Sequence, residues 1–292
     1  MRRCGSLTLM SEILWRVADR TVDLSHRALI MGVLNVTPDS FSDGGQFFTP
    51  EKAMEQGAGM AAEGAAIIDV GGESTRPGAA PVSTEEELRR VLPVIAKLRE
   101  NTAALISIDT TKAAVAREAL DTGASIINDV TGGGGDPGMM KLAAEKKAAF
   151  VIMHMQGTPQ TMQRNPSYDD VVAEVTDFFR QQYDRALECG IDSMAIAFDP
   201  GIGFGKTVEH NLQLLANLPR LRVHGRPIVV GVSRKSSIGQ MIGSAEMKDR
   251  LAPTIAFSAL LRERGANVLR VHDVKENAAA LRVTERLLEA AT

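Results

Sequence analysis

Asp109, Asn128 and Asp199 each close a short apolar run, and together they offer a carboxylate, an amide and a second carboxylate. Groups of this kind suit a flat heterocycle rich in N–H donors and ring acceptors. Lys235 and Arg270 follow later apolar runs and bring positive charge. With Asn35 and His272 they suit an anionic group, phosphate or diphosphate foremost. A heterocycle carrying a phosphate is therefore the ligand type these residues favour. Asp69 with Glu73, Asp129, and His154 occupy equivalent places in the chain. Any one of these residues alone reads equally well as a strand-end cap or a loop anchor. Their shared position is what favours a common site.

The elements that must position them are legible as an alternation. Eight apolar runs, at 28–34, 65–70, 104–108, 124–127, 149–153, 194–198, 227–232 and 266–271, are bounded by Gly, Asp and Asn. Between and after them lie stretches with helical periodicity, such as 84–100, 112–121, 168–189, 208–218, 247–264 and 275–289. Near-continuous apolar runs mark parallel strands buried on both faces, and such strands need crossover helices between them. Eight strand-helix units predict the α/β class and a (β/α)8 TIM barrel with a short N-terminal extension. Residues 1–27 form the extension, with a possible hairpin over 15–24 at the barrel floor, and 28–292 form the barrel. The polar residues above then all fall at the C-terminal rim, where barrel enzymes build their active sites.

The chain has 292 residues, 44% hydrophobic and 24% charged, with a net charge of -3. That balance argues against disorder and against a basic nucleic-acid surface. Cys4 and Cys189 lie far apart with no metal-ligand spacing, and read as thiols of a reducing compartment. No signal-like or membrane-length apolar run is present, so a cytoplasmic protein without a membrane partner is expected. The segment Gly201-Ile202-Gly203-Phe204-Gly205-Lys206-Thr207 ends like a nucleotide phosphate loop, but Pro200 stands where that pattern requires Gly. His154 lacks a second histidine at ligand spacing, which argues against a catalytic transition metal.

Longer motifs carry a resemblance. Residues 35–45, NVTPDSFSDGG, and 69–78, DVGGESTRPG, resemble the two signature loops of the dihydropteroate synthase family. Segments 107–110, 127–130, 198–204, 233–236 and 270–274 resemble its later strand-end motifs, in the family's order. The resemblance implies that Asp109, Asn128, Asp199 and Lys235 hold a pterin ring, with Met153 and Phe204 as apolar walls. Asn35, Arg270 and His272 would bind the diphosphate, with Mg2+ bridging that group to Asn35. Phe41, Asp43, Thr75, Arg76, Pro77 and Ser236 would form a 4-aminobenzoate pocket. Ser237 and Ala252-Pro253-Thr254 depart from the family's usual residues after the seventh strand.

The implied reaction displaces diphosphate from the pterin methylene by the amine of 4-aminobenzoate, on an SN1-like path. Asp109, Asp199, Lys235 and Arg270 would be its catalytic residues. The glycines of the first two loops would let them close over the second substrate. The resemblance further implies a homodimer and competition by sulfonamides. A pterin-binding methyltransferase domain and a catalytically silent pterin-binding paralogue are the alternative readings.

Overall fold

The computed structural model describes residues 12–37, 49–75 and 78–291. Strands β1 (Leu14–Val17) and β2 (Arg20–Asp23) pair antiparallel as a hairpin. Eight parallel strands follow among the described residues: β3 (Leu29–Asn35), β4 (Ile67–Gly71), β5 (Leu105–Asp109), β6 (Ile126–Asp129), β7 (Ala149–Met153), β8 (Ile196–Asp199), β9 (Val229–Val230) and β10 (Val268–Val271). Their order is β8-β7-β6-β5-β4-β3-β10-β9. A bridge between Phe198 and Ile228 joins β8 to β9 and closes the ring. This is the (β/α)8 barrel that the alternation of runs predicts.

The polar residues Asn35, Asp109 and Asp199 are the last residues of their strands. The apolar runs look continuous because each strand has two buried faces, and the faces separate at a period of two. Ile30, Leu34, Ile68, Val70, Ile106 and Ile108 pack into the layer between sheet and helices. Met31, Ile67, Ile126, Val151, Ala197 and Val268 gather inside the barrel with Trp15, Val17 and Leu24 of the hairpin segment. Trp15 is fully buried and its Nε1 donates to the Ala195 carbonyl at 3.1 Å. The hairpin thus stoppers the floor, and burial of each such large side chain contributes roughly 1.5–3 kcal/mol.

The crossover helices start where local chemistry places them. In α1 (Pro50–Glu63), Thr49 caps the Lys52 N–H and Pro50 sits in the first turn, where its missing N–H costs nothing. Ser83 caps α2 (Thr84–Asn101) through the Glu86 N–H, and Asp170 caps α5 (Val171–Glu188) through Val172 and Ala173. Thr207 and His210 form a reciprocal cap on α6 (Val208–Ala216). The other helices are α3 (Ala113–Thr122), α4 (Met139–Lys146), α7 (Ser236–Ile242), α8 (Leu251–Glu263) and α9 (Val274–Ala290). Helix α1 packs through Ala53, Gly57 and Met60, and small residues let it come close: a Cβ on Gly57 would lie 2.7 Å from a Leu98 methyl. Ser237 and Thr254 are buried in α7 and α8. No helix of the described residues is long and apolar enough to cross a membrane.

Candidate active site

Two residues beyond the floor layer, the inward face of the same strands turns polar. Ile67 leads to Asp69, Ile126 to Asn128, Ala197 to Asp199 and Val268 to Arg270. Arg270 Nε donates to Asp69 Oδ2 at 2.6 Å and its Nη2 to Asp109 Oδ2 at 2.7 Å. Asn128 Nδ2 donates to the same Asp69 oxygen at 3.0 Å. Asp69 Oδ1 and Asp109 Oδ1 are buried without a hydrogen-bond partner among the described residues. Buried acceptors left open are costly, and each is an invitation to an N–H donor from a ligand.

The β8 side completes the cradle. Asp109 faces Asn128 in register across β5 and β6, and Met153 faces Asp199 across β7 and β8. The Gly201 N–H donates to Asp199 Oδ1 at 2.7 Å. Lys235, at the N-cap of α7, donates to the Ile202 carbonyl and holds its Nζ 4.7 Å from the Phe204 ring centroid. The six residues assigned to the pterin ring thus lie at the C-terminal ends of β5 to β8 or in the loops that follow β8 and β9, on the rim of the barrel.

Charge there is poised rather than neutralised. Burial lifts Asp109 well above the usual carboxylate range; Arg270 pulls the other way, and Asp69, Glu87 and Asp129 add to the lift. Asp199 is likewise raised by burial against Lys235. Burial draws Lys235 down to about 8, with Asp199 opposing and Arg270 assisting. For Arg270 burial works against the charge, but Asp69 and Asp109 outweigh it and raise its pKa.

The residues expected to bind the diphosphate sit at the ends of β3 and β10. His272 donates its N–H to Ser233 Oγ at 3.1 Å, and its Nδ1 lies 3.1 Å from the same oxygen. Among the described residues, Arg270 uses two of its five guanidinium N–H donors, on Asp69 and Asp109. Asn35 is half-buried at the end of β3. Among the described residues no cluster of three His, Cys, Asp or Glu could hold a metal by itself. The neutral side-chain oxygen of Asn35 suits a hard cation such as Mg2+, which is usually held through few protein ligands and would supply charge to an anionic substrate group.

The residues expected to meet 4-aminobenzoate fall on both sides of the described boundary. Thr75 is half-buried and Ser236 exposed, whereas Phe41, Asp43, Arg76 and Pro77 lie outside the described residues. The base of the second loop is held firmly. Lys112 bonds Glu73 and, at 2.6 Å, the fully buried Glu87. Glu73 Oε1 accepts from the Val82 N–H at 3.1 Å, and Arg90 donates to the Gly72 carbonyl at 2.8 Å.

Sequence reasoning assigned no role to Asp69, Ser233, Glu87, Arg90, Lys112 or Lys206. Asp69 carried the same strand-end signal as the others. Arg270, read as an anion ligand, also anchors the two carboxylates beneath the ring site.

Residues 31–272 match the model of the pterin binding enzyme family. The dihydropteroate synthase of Escherichia coli (strain K12) is 47% identical over 92% of this chain and 95% of its own length. The solved structure of Xanthomonas albilineans dihydropteroate synthase with 4-aminobenzoic acid superposes with a TM-score of 0.88, at 45% identity, over 95% of this chain and 99% of that one. The Yersinia pestis dihydropteroate synthase, solved with a sulfonamide drug, gives a TM-score of 0.89 at 42% identity, covering 95% and 100%. Similarity of this extent, on top of a mouth lined by Asp109, Asn128, Asp199 and Arg270, means that the chain belongs to the pterin-binding enzyme family, on its dihydropteroate synthase branch.

Proposed function

We propose that the chain condenses 6-hydroxymethyl-7,8-dihydropterin diphosphate with 4-aminobenzoate, giving 7,8-dihydropteroate and diphosphate. The observation that carries this reading is the buried Asp109 Oδ1, without a partner among the described residues, in register with Asn128 and linked to Asp199 through the charge of Arg270 that both carboxylates feel. Such a cradle accepts ring N–H groups that none of the described residues supplies.

Asp109 and Asp199 accept from the pterin N–H groups and Lys235 donates to a ring carbonyl or nitrogen, while Met153 and Phe204 flank the ring. The C–O bond at the pterin methylene breaks, and its electron pair leaves with diphosphate. Positive charge then spread over the methylene and ring is balanced by the two carboxylates, in a site whose burial strengthens each interaction. The amine of 4-aminobenzoate forms the new C–N bond and releases a proton; an arylamine is nucleophilic enough to act without a strong base. Arg270 and His272 hold the departing anion. Mg2+, held at Asn35, would supply further charge to stabilise it.

The 4-aminobenzoate pocket comprises Thr75 and Ser236 together with Phe41, Asp43, Arg76 and Pro77. A cytoplasmic homodimer is part of the same reading. Leu260 on α8 and Val283 and Leu287 on α9 are left exposed, at 49%, 72% and 72%, the kind of apolar surface that a second copy covers.

The test is to mix the purified chain with Mg2+, the pterin diphosphate and 4-aminobenzoate. Dihydropteroate and diphosphate should form together. A folded chain that makes neither ends the proposal.

A further inference from the structure

Lys206, the residue that mimics a phosphate-loop lysine in the sequence, is 3% exposed. Its Nζ lies 2.9 Å from the Phe204 carbonyl, 3.1 Å from that of Gly201 and 3.2 Å from that of His154. His154 Nδ1 stands 3.0 Å away. Burial, with Lys235 assisting and Asp199 opposing, draws Lys206 down to about 7, and the three carbonyls take the three donors of its ammonium form, so those donors are used inside the protein and are not presented to a phosphate. Burial and the nearby Lys206 draw His154 down to about 3, so its ring is neutral. The ring packs edge-on to Phe178 with centroids 4.9 Å apart.

The carbonyls come together because two loops touch backbone to backbone. Gly201 has φ +65°, and a Cβ there would come within 1.9 Å of the His154 carbonyl oxygen. Gly205 has φ +64°, and its Cβ would lie 2.4 Å from the Gln156 carbonyl oxygen. Oxygens crowded in this way repel unless a cation sits among them. The same turn carries pterin contacts. The Gly201 N–H orients Asp199 Oδ1, and the Phe204 N–H donates to the Gly201 carbonyl at 3.0 Å. Lys235 takes hold of this turn separately, at Ile202 and over the Phe204 ring.

We propose that Lys206 is a positioning residue of the pterin pocket: its buried ammonium gathers the carbonyls of His154, Gly201 and Phe204 and so sets the Asp199 carboxylate and the Phe204 ring. The inference rests on the dihydropteroate-forming reading above.

Lys206→Met keeps the length and apolar bulk of the side chain and removes the ammonium. In a folded Lys206→Met protein the KM for the pterin diphosphate should rise about tenfold or more, the scale of a lost charged hydrogen-bond set, while the KM for 4-aminobenzoate stays within about twofold. Fluorescence titration with the pterin diphosphate alone should show the same loss. Equal changes in both KM values, or no change in either, overturn the assignment. If Lys206→Met does not fold, His154→Gln, which retains the backbone carbonyl, should show the same split at about threefold, and an equal or absent change there overturns it too. Wild-type protein runs beside them: its failure to make dihydropteroate would count against the function, whereas a normal wild type with an unaffected variant counts against Lys206 alone.

Discussion

The floor and the mouth of this barrel are made by the same strands, two residues apart, and they obey different rules. At the floor, Met31, Ile67, Ile126, Val151, Ala197 and Val268 close around Trp15, and the Trp15 indole N–H has its acceptor. Among the described residues, no buried polar side-chain atom at the floor lacks a partner. At the mouth, Asp69, Asp109 and Asp199 are just as buried, yet Asp69 Oδ1 and Asp109 Oδ1 have no partner among the described residues. The floor contributes stability that the mouth gives back. One inward step along a strand thus separates residues that hold the fold from residues proposed to hold the ligand.

That division can be broken by substitution. Trp15→Ala removes a fully buried indole at a site too tightly framed to collapse, and should lose about 3–5 kcal/mol in denaturant unfolding. At a temperature where it remains folded, its KM for the pterin diphosphate should stay close to wild type. Asp199→Asn should do the reverse. Exchanging the carboxylate for a neutral amide removes charge stabilisation and should lower kcat/KM about a hundredfold, about 2.7 kcal/mol, with little change in the melting temperature. Turnover near wild type in Asp199→Asn, or a stability loss as large as that of Trp15→Ala, would erase the contrast.

Lys235 sharpens it through pH. Burial holds its folded pKa at about 8, against an ordinary 10.5. Between about pH 8 and 10.5 the unfolded chain retains a proton that the folded chain has released, so this group makes folding more favourable as pH rises. Pterin use should move the other way, because the same deprotonation removes a donor and a charge from the cradle. The profile of kcat/KM for the pterin diphosphate should therefore fall above about pH 8, and Lys235→Arg, charged throughout, should lose that limb from a lower plateau. An identical alkaline limb in Lys235→Arg would assign it to another group.

Much of this was legible before the fold. Apolar runs ending in Asn35, Asp109, Asn128 and Asp199 located the barrel and its rim, because parallel strands buried on both faces must read as continuous runs. The separation of floor from mouth was hidden for the same reason: Ile67 and Ile68 look alike in sequence but face opposite layers. Pairings were not legible at all. Arg270 reaches Asp69 and Asp109 across 201 and 161 residues, and no local pattern distinguishes a guanidinium bound for phosphate from one bracing carboxylates. Lys206 was a charged residue in a Gly-rich turn, and only the close approach of two backbones shows where its charge is used.

The smallest effect should come from the support beneath the second loop. Glu73 joins the Val82 N–H to Lys112, and Lys112 in turn reaches the fully buried Glu87, so the segment ending at Thr75 is anchored from both α2 and the start of α3. Glu73→Gln keeps the shape and an acceptor but weakens the ionic bond; with Lys112 still paired to Glu87, the loss should be held to a few tenths to about 1 kcal/mol. On the proposed pocket, in which Thr75 faces the second substrate, that loss should appear as a KM for 4-aminobenzoate raised about twofold to fivefold, with the pterin KM unchanged. Steady-state kinetics with each substrate varied in turn measures it. A rise confined to the pterin KM would mean that the second loop serves the ring, and that the mouth is one undivided site.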